Sequence, residues 1–203
     1  MKRSISPSVT SRVAFLVSIL VSIGLLLWAI STVEAKQFKG VNFPDTIKIG
    51  NEICTLNGIG IRKKMIIEGY YAGLYLKTPT KNAQEVISSD APKAVLIHVV
   101  YKEISAEKWQ EGWKEGFSIT APQAQGELKK QIDQFIGFFN EPIKKGEEVL
   151  ISYDPAKGTE VIIKGKSKGV LPGKEFMQAL WSIWFGPKPA SAELKAGMLG
   201  EAK

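Results

Sequence analysis

The sequence predicts an α+β fold: an antiparallel sheet with a layer of helices on one face, in a single domain. Three features point to it. Glycine-punctuated β-branched and aromatic runs follow an apolar leader; amphipathic helical repeats fill the middle; and a turn-linked pair of alternating runs precedes further helical segments. No strand–helix–strand alternation appears, so a parallel sheet is not expected. The 203 residues are 44% hydrophobic and 23% charged, which suits one globular core. No internal repeat or low-complexity linker divides them.

Residues 1–35 read as a leader. Lys2, Arg3 and Arg12 precede the apolar run Val13 to Ile30, and polar STVEA follows with small residues at Val33 and Ala35. This is the layout of a secretory signal peptide cut after Ala35. The apolar run also reaches the lower limit for spanning a bilayer, so an uncleaved N-terminal membrane anchor is the alternative. Both readings place the domain, residues 36–203, outside the cytoplasm, periplasmic or secreted. Its single cysteine, Cys54, excludes an internal disulfide, so the core must carry the stability. Cys54 alternates with apolar neighbours in EICTL and reads as buried filler. The formal charge of +7 falls once the leader takes away Lys2, Arg3 and Arg12 against Glu34, and the remaining lysines are interspersed with glutamates, a solvated surface rather than a nucleic-acid footprint.

Taken in order, residues 38–80 give three or four strands, with turns near Pro44–Asp45, Gly50–Asn51 and Arg62 to Lys64. TKNAQEVISSDAP gives a short helix capped by Thr80 or Asn82 and stopped before Pro92. KAVLIHVVY, Lys93 to Tyr101, is mostly apolar and therefore a central strand. Ser105 caps a helix whose Trp109, Gly112, Trp113, Gly116 and Phe117 recur on one face. ELKKQIDQFIGFFN carries a second stripe through Leu128, Ile132, Phe135, Ile136 and Phe139. EEVLISYDPAKGTEVIIKGK is a hairpin turning at Pro155 to Gly158. GKEFMQALWSIWFG is apolar nearly all round, hence a buried helix ended by Gly186–Pro187, and Ser191 caps a last short helix.

Much chemistry is missing. The one histidine, His98, lies within an apolar strand and is expected in the core or at a pocket edge. One Cys and one His make no Cys/His zinc site, no HExxH and no triad built on a second histidine. GKS at Gly165 to Ser167 lacks the glycine of a phosphate loop, since Glu160 stands there. Neither a metal nor a nucleotide cofactor is expected.

Arg62 is the only arginine beyond the leader. In EICTLNGIGIR, alternation puts Cys54, Leu56, Gly58, Gly60 and Arg62 on one face if no bulge intervenes. Glycines at alternate strand positions mark a close approach to the backbone. They are either bends beside a structural arginine, or a vacancy beside a guanidinium that grips a carboxylate through two parallel hydrogen bonds. Gly112 and Gly116, among Trp109, Trp113 and Phe117, either let helix and sheet pack closely or floor an aromatic-walled cleft.

GVNFPDTI, LNGIGIRKKMIIEGYYAGLYL, SAEKWQEGWKEGF, IKKGEEVLISYDPAKGTEVIIKGK and FMQALWSIWFGPKPASAELKAGMLG together resemble the chalcone isomerase-like superfamily, in its exported bacterial branch. The resemblance runs from about Gly40 to Gly200, and LxGxGxR followed by AGLYL is its most specific part. It implies an open-faced sandwich, a large antiparallel sheet under helices, with a ligand cleft between the layers. The plant enzymes close a chalcone into a flavanone, an intramolecular lyase reaction without a cofactor. Of their site groups, the arginine aligns with Arg62, the threonine with Tyr70, the tyrosine with Ser105 and the asparagine with Gly112. The late hydroxyl falls near Ser182 or Ile183. Only the arginine carries over. Relatives resembling fatty-acid binders use that arginine to hold a carboxylate, and the chain departs from the enzymes in their direction.

The expectation is therefore a small amphipathic acid, or a polyphenol-like ligand, anchored by Arg62 beside Gly58 and Gly60. Tyr70, Tyr101, Ser105, Trp109, Gly112 and Trp113 are the remaining candidate contacts. One alternative is an isomerase in which Arg62 acts with Tyr70, Tyr101 or Tyr71 in place of the missing groups. The other is a structural or partner-binding envelope protein whose cleft is filled by its own side chains. No nucleic-acid partner is expected, and membrane contact only through the leader if it is uncleaved.

Overall fold

The computed structural model describes residues 35–201. The expected leader lies outside the described residues apart from Ala35, which opens the first strand. In chain order the strands are β1 (Ala35–Phe38), β2 (Val41–Pro44), β3 (Thr46–Ile49), β4 (Glu52–Lys64), β5 (Ile67–Leu76) and β6 (Lys93–Val99), then β7 (Glu103–Ile104), β8 (Ile143–Lys144), β9 (Glu148–Asp154), β10 (Gly158–Ile163) and β11 (Lys166–Leu171). The helices are α1 (Ala83–Ser88), α2 (Ala106–Thr120), α3 (Gly126–Gly137), α4 (Lys174–Phe185) and α5 (Ala192–Met198).

Every residue of β6 is buried, so it belongs where both faces of a sheet are covered. It lies at the centre of a seven-stranded antiparallel sheet of order β11-β10-β9-β6-β5-β4-β3. This is the expected α+β arrangement. The helices pack on one face over a core running from Leu74, Val95 and Ile97 to Trp113, Phe135, Phe176 and Trp181. Ser105 caps α2 by accepting from the Lys108 amide, and the helix buries Trp109, Trp113, Gly116 and Phe117 as its periodicity requires. In α4 eight of twelve residues are buried, which accounts for its lack of a polar face.

The other face is not bare. The β1–β2 ribbon covers a second core of Phe43, Cys54, Ile59, Ile61, Tyr71 and Tyr75. Cys54 is buried there, its Sγ donating to the Pro92 carbonyl at 3.3 Å, and burial pushes its pKa up. His98 shares this face, its ring 4.5 Å from that of Phe43 and its Nδ1 3.2 Å from a Glu148 carboxylate oxygen.

Two expectations need correction. The turn expected at Arg62 to Lys64 falls at Met65–Ile66, because β4 stays paired through Lys64, opposite Ile67. The second strand of the expected hairpin, read as running through Lys166, ends at Ile163, and Lys166–Leu171 form a separate edge strand paired with β10. Its polar KSKGVL pattern suits an edge strand open to solvent.

Lys93 is buried where a lysine is not expected. Its Nζ donates to the Val86 and Ser89 carbonyls at 2.6 and 2.7 Å and to Ser89 Oγ at 3.2 Å. It thereby satisfies carbonyls that the end of the short helix α1 leaves open.

Candidate functional site

The site begins with a bulge. Between Leu56, opposite Tyr75, and Gly58, opposite Leu74, Asn57 has no partner in β5. Its amide is fully used elsewhere: Nδ2 donates to the Thr80 and Met198 carbonyls at 3.0 and 2.9 Å, and Oδ1 accepts from the Thr80 amide at 2.9 Å. The extra residue reverses the alternation of side chains beyond it. Cys54 and Leu56 therefore pack in the core under β1–β2 with Ile59 and Ile61. Gly58, Gly60 and Arg62 face the helices instead, a correction to the single face expected for all five positions.

The space above the two glycines is filled by the chain itself. A Cβ on Gly58 would lie 2.4 Å from the Gly197 carbonyl oxygen, and one on Gly60 would lie 2.2 Å from that of Leu194. Reciprocally, a Cβ on Gly197 would be 2.5 Å from Gly60 Cα. Helix α5 thus packs backbone to backbone on β4. Gly58 and Gly60 do mark a close approach, but they seat this helix and do not line the cleft.

Past α5 the helix-side face opens into a cleft of about 760 Å³, within the range of small-molecule sites. Arg62, Tyr70, Tyr101, Trp109, Gly112 and Trp113 all line it. Arg62 and Tyr70 are direct cross-strand partners. Tyr70 stacks on Trp109 at 5.6 Å, and Trp109 on Trp113 at 6.1 Å, making one aromatic wall. Both indoles are about 5% exposed, as the helix periodicity predicts. Arg62 is half-buried, and its Nη1 donates to the Lys63 carbonyl at 2.7 Å. Among the described residues it has no carboxylate partner, so the rest of its donor fork is uncommitted. Burial pushes the Tyr70 hydroxyl pKa up, against the opposing pull of the Arg62 charge and a hydrogen bond with Trp184.

The two helix glycines divide the alternatives between them. A Cβ on Gly116 would lie 2.8 Å from Ile183 Cδ1, so that glycine packs α2 against α4. A Cβ on Gly112 would meet nothing within 4 Å, so that one floors the cleft.

Residues 35–200 match the family model described as chalcone isomerase-like. The chain belongs to the chalcone isomerase-like family. No curated protein matches it in sequence. Among solved structures it is similar to a fatty-acid binding protein of Arabidopsis thaliana, AtFAP1, with a TM-score of 0.65 and 16% identity over 82% of this chain and 96% of that one. The two share a fold, a large curled antiparallel sheet with packed helices.

Within this chalcone isomerase-like fold, the positions aligned with the enzymes' polar groups have diverged in distinct ways. Tyr70 and Gly112 face the cleft, the first with a hydroxyl and the second with nothing. Ser105 is outside the lining and serves as the α2 cap. Ile183 lines the cleft, whereas Ser182 Oγ donates back to the Gln178 carbonyl at 2.6 Å. Tyr71, a candidate substitute, lies on the opposite face, donating to Glu68 at 2.5 Å. Burial, with that hydrogen bond, raises its pKa to about 12. Tyr70 and Tyr101 are left as the hydroxyl-bearing side chains of the lining.

Residue patterns missed Lys64, Met65, Ile67 and Trp184, which also line the cleft. The first three follow Arg62 in sequence and were hidden by placing the turn too early. Trp184 carried no signal beyond membership of an apolar helix. Among the described residues no cluster of metal-ligating side chains occurs, and no helix is long and apolar enough to cross a membrane.

Proposed function

We propose that this is an exported binding protein for an acidic amphipathic small molecule of fatty-acid type. The carboxylate meets the Arg62 guanidinium, and the apolar tail lies along Tyr70, Trp109, Trp113 and the floor at Gly112. One observation carries the reading: an arginine without a carboxylate partner among the described residues lines an otherwise largely apolar cleft. Leaving a guanidinium half-desolvated is unfavourable unless an anion completes it, and two parallel N–H···O bonds are the geometry it offers. Apolar walls then add roughly 25 cal/mol for each Å² of tail removed from water. The likeness to a protein named as a fatty-acid binder supports the ligand class. The basic, apolar and small-residue layout of residues 1–35 supports export.

Ring closure of a chalcone asks more of a site than this one contains. An amide and several hydroxyls would have to organise a phenolate, but Gly112 brings no side chain and Ser105 is spent as a helix cap. Titration with a long-chain fatty acid and with its methyl ester, followed by indole fluorescence of the cleft tryptophans, tests the proposal. The acid should saturate, and the ester should bind about tenfold or more weaker, some 1.4 kcal/mol. Equal binding of the two, or binding of neither, would remove the carboxylate anchor.

A further inference from the structure

We propose that the tip of the β4–β5 hairpin, Met65–Ile66–Ile67, docks on the surface of an anionic phospholipid bilayer and presents the cleft mouth to it. The use of that docking, transfer of an acyl acid, rests on the reading of the cleft given above; the docking itself is argued from the hairpin.

The tip carries the most exposed apolar side chains of the domain, Met65 at 92% and Ile66 at 93%, with Ile67 at 50%. Its turn chemistry is equally unfavourable in water. A two-residue turn between Lys64 and Ile67 calls for Asn, Asp or Gly, which tolerate the left-handed backbone. Here Met65 holds φ +57° and a β-branched isoleucine follows it. Neither solvation nor backbone preference selects Met-Ile at this place, whereas insertion into an apolar phase does. The tip is also continuous with the cleft: Met65, Ile67 and Tyr101 line it, and the Tyr101 amide donates to the Gly69 carbonyl beside the hairpin. Tyr101 is 41% exposed, an amphipathic ring of the kind favoured at lipid headgroups.

The charges around the tip complement an anionic surface. Lys64, Lys102, Lys108 and Lys145 are exposed, and none has a carboxylate partner among the described residues. A hydrogen bond from the Lys145 amide to the Lys102 carbonyl sets two of them on adjoining loops. The acids that line the cleft, Glu111 and Glu115, are carried by α2 and not by the hairpin. An apolar wedge flanked by ammonium groups is what an interface of acyl chains and phosphates recognises.

An environment-sensitive fluorophore on Met65→Cys tests this in the full chain, since Cys54 is buried. The same label on Lys157→Cys, in the β9–β10 turn at the opposite end of the sheet, is the control. Phosphatidylglycerol vesicles should shift the emission of the hairpin label to the blue and brighten it several-fold. Phosphatidylcholine vesicles and the control label should give little change, and high salt should weaken the response. An unresponsive hairpin label, or one that responds no more than the control, would overturn the proposal. A second variant, Ile66→Gly, changes the residue of the tip that does not line the cleft, supplies a favoured turn residue and should fold. It should take up fatty acid from phosphatidylglycerol vesicles several-fold more slowly, with unchanged affinity for the acid titrated without vesicles; an unchanged uptake rate would also overturn it. If wild type binds no acid at all, the cleft reading fails while the fluorophore still reports on docking.

Discussion

A side chain at Gly112 would enter open space, because a Cβ there meets no atom within 4 Å and the residue faces the cleft from the middle of α2. Gly112→Leu should therefore fill the ligand site without disturbing the core. Glycine is about 1 kcal/mol worse than a good helix former in a helix interior, so thermal stability should hold or rise while fatty-acid binding is lost. A melt beside a titration checks both halves. Lys93 gives a second prediction at this scale, through pH. Burial pulls its pKa down to about 8, against a smaller opposing effect of Asp90. A base with a depressed folded pKa binds fewer protons folded than unfolded between that value and the ordinary lysine range. Stability should accordingly rise as pH increases from about 8 towards 10, relative to a Lys93→Met variant, in which that rise is absent. Parallel melts of the two proteins across this window should show the curves converge or diverge with that sign; a flat difference would mean that the hydrogen bonds to Val86 and Ser89 hold the ammonium unperturbed.

At the scale of elements, β4 and α5 depend on each other. Asn57 ties the bulge to the Met198 carbonyl, and Gly58 and Gly60 admit the α5 backbone to contact distance. Gly60→Ala would place a methyl 2.2 Å from a backbone oxygen that no rotamer change can move. It should destabilise the domain by about 1–3 kcal/mol or more, as overpacking does, and expose the C-terminal helix to limited proteolysis. Full retention of the melting temperature would mean that α5 can shift without penalty. The alternating glycines announced this close approach in the sequence, but not what approaches. The bulge itself was illegible: Asn57 occupies a normal place in the alternation, and only pairing with β5 reveals it as the extra residue. The Met65–Ile66 turn was hidden for the opposite reason, having none of the residues that turns favour.

For the molecule as a whole, the antiparallel sheet and its helical layer followed from element order, and β6 was placed at the centre by its mostly apolar run. The core under β1–β2 did not follow, because ribbons of four residues leave no periodic trace against a longer strand-rich segment. In the cleft, helical spacing correctly aligned Trp109, Gly112 and Trp113, and the isolated arginine drew attention to Arg62. Trp184 and the hairpin tip reach the same space only through tertiary packing. Arg62 is there either for a ligand or for the fold. Arg62→Lys keeps the charge and removes the bidentate fork, so fatty-acid affinity measured by fluorescence titration should fall by about 1–3 kcal/mol, beside melts without ligand that barely change. A variant that melts early yet binds the acid as wild type does would contradict the anchor and return Arg62 to a structural role.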